Sequence, residues 1–228
     1  MERLRSRYMY TLAAHKTFLE LDRALTETYS GKKTAYNNAE IIKKYNYYFA
    51  PSKEGIRYYL IIELAKFFEV DPRKDSLTIN HLLDYTEKNL KFLTKDYFKE
   101  YHKDREFLIR DIEWLEEISI SEIKSFKNRI KRNKKKINDV KEYRDQYIAH
   151  DDLKKNIYTI KTRDVVTLLR LVKDVVDYYY ERLESTSNIY NDFDIEPVKN
   201  TKKIFADLRK YEIIENETIK NKYREAKQ

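Results

Sequence analysis

Cysteine is absent from the 228 residues. That rules out a disulfide framework and any zinc site built on thiolates, and it suits a reducing cytosol. Glycine occurs only at Gly31 and Gly55, and proline only at Pro51, Pro72 and Pro197. So few chain breakers argue for long helices and against barrels, sandwiches and glycine-cornered α/β folds. Phosphate-binding loops that need several glycines are excluded as well. No apolar run reaches the roughly 18 residues of a membrane-spanning helix. The opening MERLRSRYMYTLAAH lacks the apolar core of a signal peptide. The expectation is a cytoplasmic protein with no membrane partner.

Charge is abundant. Charged residues make up 38% of the chain and the formal net charge is +8. The excess is concentrated: Lys124, Lys127, Arg129, Lys131, Arg132, Lys134, Lys135 and Lys136 follow one another with no acidic residue between them. Clustered cations suit a phosphate-bearing partner, and Arg129, Lys131, Arg132, Lys134, Lys135 and Lys136 are the candidate RNA contacts. The competing reading is a solvated helix face in a lysine-rich chain. The 21 tyrosines offer rings for base stacking, or reflect base composition of the genome.

The apolar pattern predicts an all-α, antiparallel helical bundle of long helices over residues 1–186. A linker and a C-terminal helix (187–228) follow, packing on the bundle or on a second subunit. A first helix is expected over 2–29, with Ala14, Phe18, Leu21 and Leu25 on one stripe, flanked by a packed or surface His15, and Gly31 as its stop. A short helix is expected over 34–48. Pro51 and Ser52 open the next, where Ile56, Tyr59, Leu60, Leu64, Phe67 and Phe68 mark a central buried helix. Ser76 is the expected N-cap of the helix through Leu82, Leu83 and Leu90. Residues 95–117 carry Tyr97, Tyr101, Leu108, Ile112 and Leu115 at helical spacing. Ser119 and Glu122 form a capping box that starts one long basic helix. Thr162 or Asp164 caps a helix striped by Val165, Leu168, Leu169, Val172, Val175, Val176, Tyr179 and Leu183. A last helix, 198–226, holds Ile204, Phe205, Leu208, Tyr211, Ile213 and Ile214.

The basic helix leads into YRDQYIAHDD, residues 143–152. Ile130, Ile137, Val140, Tyr147 and Ile148 share one helix face, and Arg144 falls in the middle of it. In α geometry His150 lies roughly 120° round and roughly 9 Å along from Arg144. A cation on an apolar seam needs a partner, because an unpaired buried charge is costly. A structural salt bridge to Asp151 or to an acid on another helix meets that need. A catalytic role meets it differently. A guanidinium can hold a scissile phosphate and stabilise the charge that develops on it. An imidazole of pKa about 6.5 can take a proton from a ribose 2′-hydroxyl or give one to the leaving 5′-oxygen. The 2′-hydroxyl is then the nucleophile, and neither metal nor cofactor is required. One His does not easily serve as both acid and base.

The run Arg144, Asp145 … His150 resembles the signature of the HEPN superfamily, an Arg followed by a polar residue and, after a short spacer, a His. Ala149, His150 and Asp152 are similar to the ending found in its AbiU-type abortive-infection branch. YYLIIELAKFFEVDPRKDSLTINHLL, residues 58–83, resembles that branch's apolar helix, proline-containing turn and following helix. The resemblance implies a HEPN-like bundle and a metal-independent endoribonuclease toxin of phage defence, with Arg144 and His150 catalytic. It further implies that Asp145 orients either side chain, that a homodimer joins two Arg–His sets in one cleft, and that an antitoxin or regulatory protein is a further partner. One departure stands out. Relatives silenced by a partner nucleotidyltransferase often carry a Tyr two residues after the His, and here that residue is Asp152.

Other chemistries fit less well. His150–Asp151 resembles the dyad of HD phosphohydrolases, but His15, His81 and His102 lack the matching context for the remaining ligands. A Ser–His–Asp hydrolase would need a nucleophile elbow, which is missing. The alternatives to the nuclease are a non-catalytic helical module that binds RNA or protein with Arg144 as a structural residue, and an antitoxin or interaction subunit whose tail clamps a partner.

Overall fold

The computed structural model describes residues 1–70, 77–101, 103, 104, 112, 116–149, 160–184 and 190–225. Among these the regular structure is helical throughout, without a strand, as the scarcity of breakers and the apolar stripes imply. The helices are α1 (Glu2–Ala24), α2 (Glu27–Ser30), α3 (Lys32–Lys44), α4 (Asn46–Phe67), α5 (Ile79–Asn89), α6 (Lys95–Tyr101), α7 (Ile120–Arg132), α8 (Lys134–Tyr143), α9 (Thr162–Glu184), α10 (Asn191–Asp194) and α11 (Glu196–Glu225). A 3-10 turn, Leu90–Phe92, follows α5, and a π-helical segment, Arg144–Ala149, follows α8.

The chain divides into two compact units. One comprises 1–11 and 58–190, the other 12–57 and 191–228, so the C-terminal helix falls in the same unit as residues 12–57.

In the first unit α9 is the most buried helix. Val165, Leu168, Leu169, Leu171, Val172, Val175, Val176, Tyr178 and Tyr179 are all withdrawn from solvent. It packs on α7 and α8, and α7 packs on α5. The buried Tyr179 Oη is satisfied within the core, donating to Thr86 Oγ1 at 2.7 Å. Leu60, Ile61, Leu64, Phe67 and Phe68 of the α4 segment are buried here, whereas Tyr59 is exposed. In the second unit Leu21, Ala24, Ile41, Phe49 and Phe205 form the core, with the Phe49 and Phe205 rings stacked 5.5 Å apart.

Several boundaries differ from the expected ones, each for a local reason. α1 stops at Ala24 because Thr26 leaves the helical region (φ −101°, ψ 120°) while its hydroxyl donates to Asp22 O at 3.1 Å. Gly31 ends α2 at φ +75°, a conformation that favours glycine. Pro51 does not open α4; the helix begins at Asn46 and runs through it. The carbonyl that would have bonded to residue 51 belongs to Tyr47, which is 97% exposed, so water can serve it. The cap of α5 is Thr78, whose hydroxyl accepts from His81 N at 3.1 Å; Ser76 lies outside the described residues, as do His102, Leu108 and Leu115. Ser119 does cap α7, accepting from Ser121 N at 3.3 Å. The reciprocal half of the box is not made by Glu122, because Ser119 N donates instead to Tyr178 Oη at 2.7 Å. Thr162 is the first residue of α9 rather than its cap, and Lys161 O takes the first helical bonds. On α11 only Phe205 of the expected apolar residues is deeply buried; Ile204, Tyr211, Ile213 and Ile214 are exposed.

Candidate functional site

The single long basic helix expected after Ser119 is two helices joined at Asn133. The Asn133 amide donates to Arg129 O at 2.9 Å, and its backbone N–H is shared between Arg129 O and Ile130 O. An asparagine side chain competing for backbone acceptors interrupts the ladder in this way. Ile123 and Phe126 of α7 and Ile137 and Val140 of α8 face the core, which turns the cations outward.

The break sorts those cations. Lys127 pairs with Asp84 (2.6 Å) and with Glu87, and Arg129 pairs with Asp174. Lys135 reaches Asp139 at 2.8 Å, and Lys136 reaches Asn133 Oδ1 at 3.2 Å and Asp164 at 3.7 Å. Lys124, Lys131, Arg132 and Lys134 are exposed and make no ion pair among the described residues. Of the six candidate RNA contacts, three are thus tied to acids and three are not. Lys131 and Arg132 sit in the last turn of α7, where the helix dipole favours cations; Lys134, Lys135 and Lys136 sit in the first turn of α8, where it opposes them.

From Arg144 the backbone turns π-helical, a rare i→i+5 geometry that is frequent at functional sites. The α-helical arithmetic from Arg144 toward residue 150 therefore does not apply. His150, Asp151 and Asp152 lie outside the described residues. Arg144 is 20% exposed and doubly held. Its Nη1 donates to Glu69 Oε1 at 2.5 Å and its Nε to Asp145 Oδ1 at 2.7 Å. Its Nη2 makes no hydrogen bond among the described residues. Burial works against the guanidinium charge, but the bonds to Asp145 and Glu69 outweigh it and leave the pKa above its ordinary value.

Beside it, Lys141 Nζ donates to Phe68 O at 2.9 Å. Burial lowers the Lys141 pKa, against the attraction of Glu69 and with the repulsion of Arg144. The Tyr143 and Tyr147 rings stack with centroids 4.7 Å apart. Glu69 and Lys141 were missed from sequence. Lys141 lies three residues before Arg144 on a shared helix face, which was a usable signal. Glu69 follows the apolar end of α4, and only the fold brings it to Arg144.

Among the described residues no helix is long and apolar enough to cross a membrane, and no cluster of three or more His, Asp or Glu could hold a metal ion. No curated protein and no solved structure matches the chain. A family model, HEPN_AbiU2, described as AbiU2, matches residues 42–204, a span that holds Glu69, the basic helices and the whole Arg144–His150 motif. That match covers well over half of the 228 residues, and the chain belongs to the AbiU2 family of abortive-infection-associated HEPN domains.

Proposed function

We propose that this protein is a metal-independent endoribonuclease that cuts RNA through attack of a ribose 2′-hydroxyl on the adjacent phosphate. The observation that carries the reading is the mounting of Arg144. Two carboxylates fix its guanidinium through Nε and Nη1, and among the described residues Nη2 has no acceptor, which leaves it to a phosphate. A guanidinium held in place before the substrate arrives stabilises developing phosphate charge without reorganising. His150 takes the proton of the 2′-hydroxyl, the 2′-oxygen closes a cyclic phosphate, and the 5′-oxygen departs with a proton from a second imidazole. A homodimer supplies that second group. Lys131, Arg132 and Lys134 hold the RNA backbone, since among the described residues these three of the six candidate contacts have no acid to displace. The setting is a toxin in phage defence, in the cytoplasm.

A second reading has its own support. Arg144 is largely covered and bound to two acids, as a structural cation would be, which suits a non-catalytic RNA- or protein-binding module. Arg144→Lys separates the two. Lysine keeps the charge but not the planar fork. The nuclease reading expects cleavage to be lost while the melting temperature stays near wild type. The structural reading expects lowered stability in proportion to any loss of activity.

A further inference from the structure

The second unit contains a pocket of about 440 Å³ on which Arg23 of α1, Thr34 and Asn38 of α3, and Lys202 and Arg209 of α11 converge. Its anchor is Asn38, which is 2% exposed. The Asn38 Nδ2 donates to Ala24 O at 2.7 Å, and its Oδ1 accepts from Arg209 Nη1. Arg209 is therefore positioned by a neutral amide rather than by a carboxylate. Arg23 rests over the exposed Tyr29 ring, 5.3 Å from its centroid. Neither guanidinium makes an ion pair among the described residues. The pocket's one carboxylate, Glu20, lies 3.8 Å from Lys202. Three cations thus line the pocket with one acid, and two of them have no counter-charge among the described residues.

The backbone adds to this. α3 has 13 residues and starts at Lys32 after Gly31, which offers no side-chain cap, and Thr34 of its first turn lines the pocket. The first N–H groups of such a helix have no intrahelical partner and favour an anion. The neighbouring pocket of about 360 Å³ shows the contrast: its Lys44 bridges Glu212 and Glu215 at 2.8 Å each, so its charge is already answered.

We propose that the pocket is a binding site for a small phosphorylated molecule, whose phosphate is held by Arg23 and Arg209. Guanidiniums lining a common pocket suit phosphate oxygens, and the volume falls in the range of small-ligand sites. Apart from Lys202, the residues named lie outside the 42–204 span of the family match. The site is independent of the ribonuclease reading.

The test is isothermal titration of the full chain in chloride buffer with adenosine monophosphate, ribose 5-phosphate, inorganic phosphate and adenosine. Each phosphate-bearing probe binds and adenosine does not. Tighter binding of the monophosphate than of the other two identifies a nucleotide; equal binding of all three identifies phosphate itself as the ligand. Arg23→Gln and Arg209→Gln each weaken binding about tenfold or more, the loss of roughly one charge-assisted hydrogen bond. Thermal melting monitors the fold. Because Arg209 also anchors Asn38, Arg23→Gln and the exposed Lys202→Gln carry the test if Arg209→Gln melts early. Binding of adenosine equal to that of its monophosphate, affinities all weaker than about 1 mM (about −4 kcal/mol), or unchanged binding by Arg23→Gln overturns the proposal.

Discussion

Arg144 Nη1 lies 2.5 Å from Glu69 Oε1, so a cation in the HEPN motif is fixed by an acid from the far side of the sequence. Both side chains are about one-fifth exposed, and water therefore screens the pair in part. Glu69→Gln is expected to cost about 1 kcal/mol of stability, and Arg144→Ala, which strands Glu69, somewhat more, about 1–2 kcal/mol. Urea unfolding of the two variants and the double variant measures the coupling. Additive losses would mean that the pair contributes nothing of its own.

Tyr179 and Thr86 give a sharper stability test, because both are buried and bonded to each other. Tyr179→Phe removes the donor and leaves a buried Thr hydroxyl without its partner, for an expected loss of about 1–2 kcal/mol. Thr86→Val should cost about as much, and adding it to Tyr179→Phe should cost little more. A neutral Tyr179→Phe would count against the bond.

His15 predicts acid sensitivity. Burial, then the charges of Lys16 and Arg23, lower its pKa from 6.5 to about 4, against the pull of Asp194. In the unfolded chain it protonates near 6.5, so between about pH 6.5 and 4 the unfolded state binds more protons. Stability is full above pH 6.5 and falls as the pH drops toward 4, by up to about 3 kcal/mol if the whole shift is realised. The pH dependence of the urea midpoint should flatten over this window in His15→Gln. An unchanged slope in the variant would refute the assignment.

The cations of α7 and α8 divide into two groups, and RNA binding should divide with them. Lys131→Gln, Arg132→Gln and Lys134→Gln should each weaken binding and lower the salt slope by about 0.7, the value for one single-strand phosphate contact. Arg129→Gln, whose side chain is held by Asp174, should change the slope less. Equal effects at all positions, or binding that ignores salt, would refute this division.

Much of the fold was legible because it rests on periodicity. The stripe from Val165 to Tyr179 forecast α9 and its buried face, and the lack of glycine and proline forecast helices throughout. What escaped was decided by single side chains or by distant contacts. Pro51 reads as a helix start from the sequence, and the exposure of Tyr47 that lets the helix run through it is a property of the fold. Asn133 breaks the basic helix by bonding to Arg129 O, a local competition that an apolar stripe does not register. Arg144 stood out in the sequence as a charge that must be answered, and that need was physical. The identity of Glu69 as one of its partners came only from packing. The π geometry of residues 144–149 had no signal in the pattern.

The most direct test incubates purified wild type and His150→Ala with total cellular RNA in EDTA and maps the fragment ends. Cleavage by the wild type alone is expected, leaving 2′,3′-cyclic or 3′-phosphates. Equal cleavage by both proteins, cleavage that EDTA abolishes, or 3′-hydroxyl ends would contradict it.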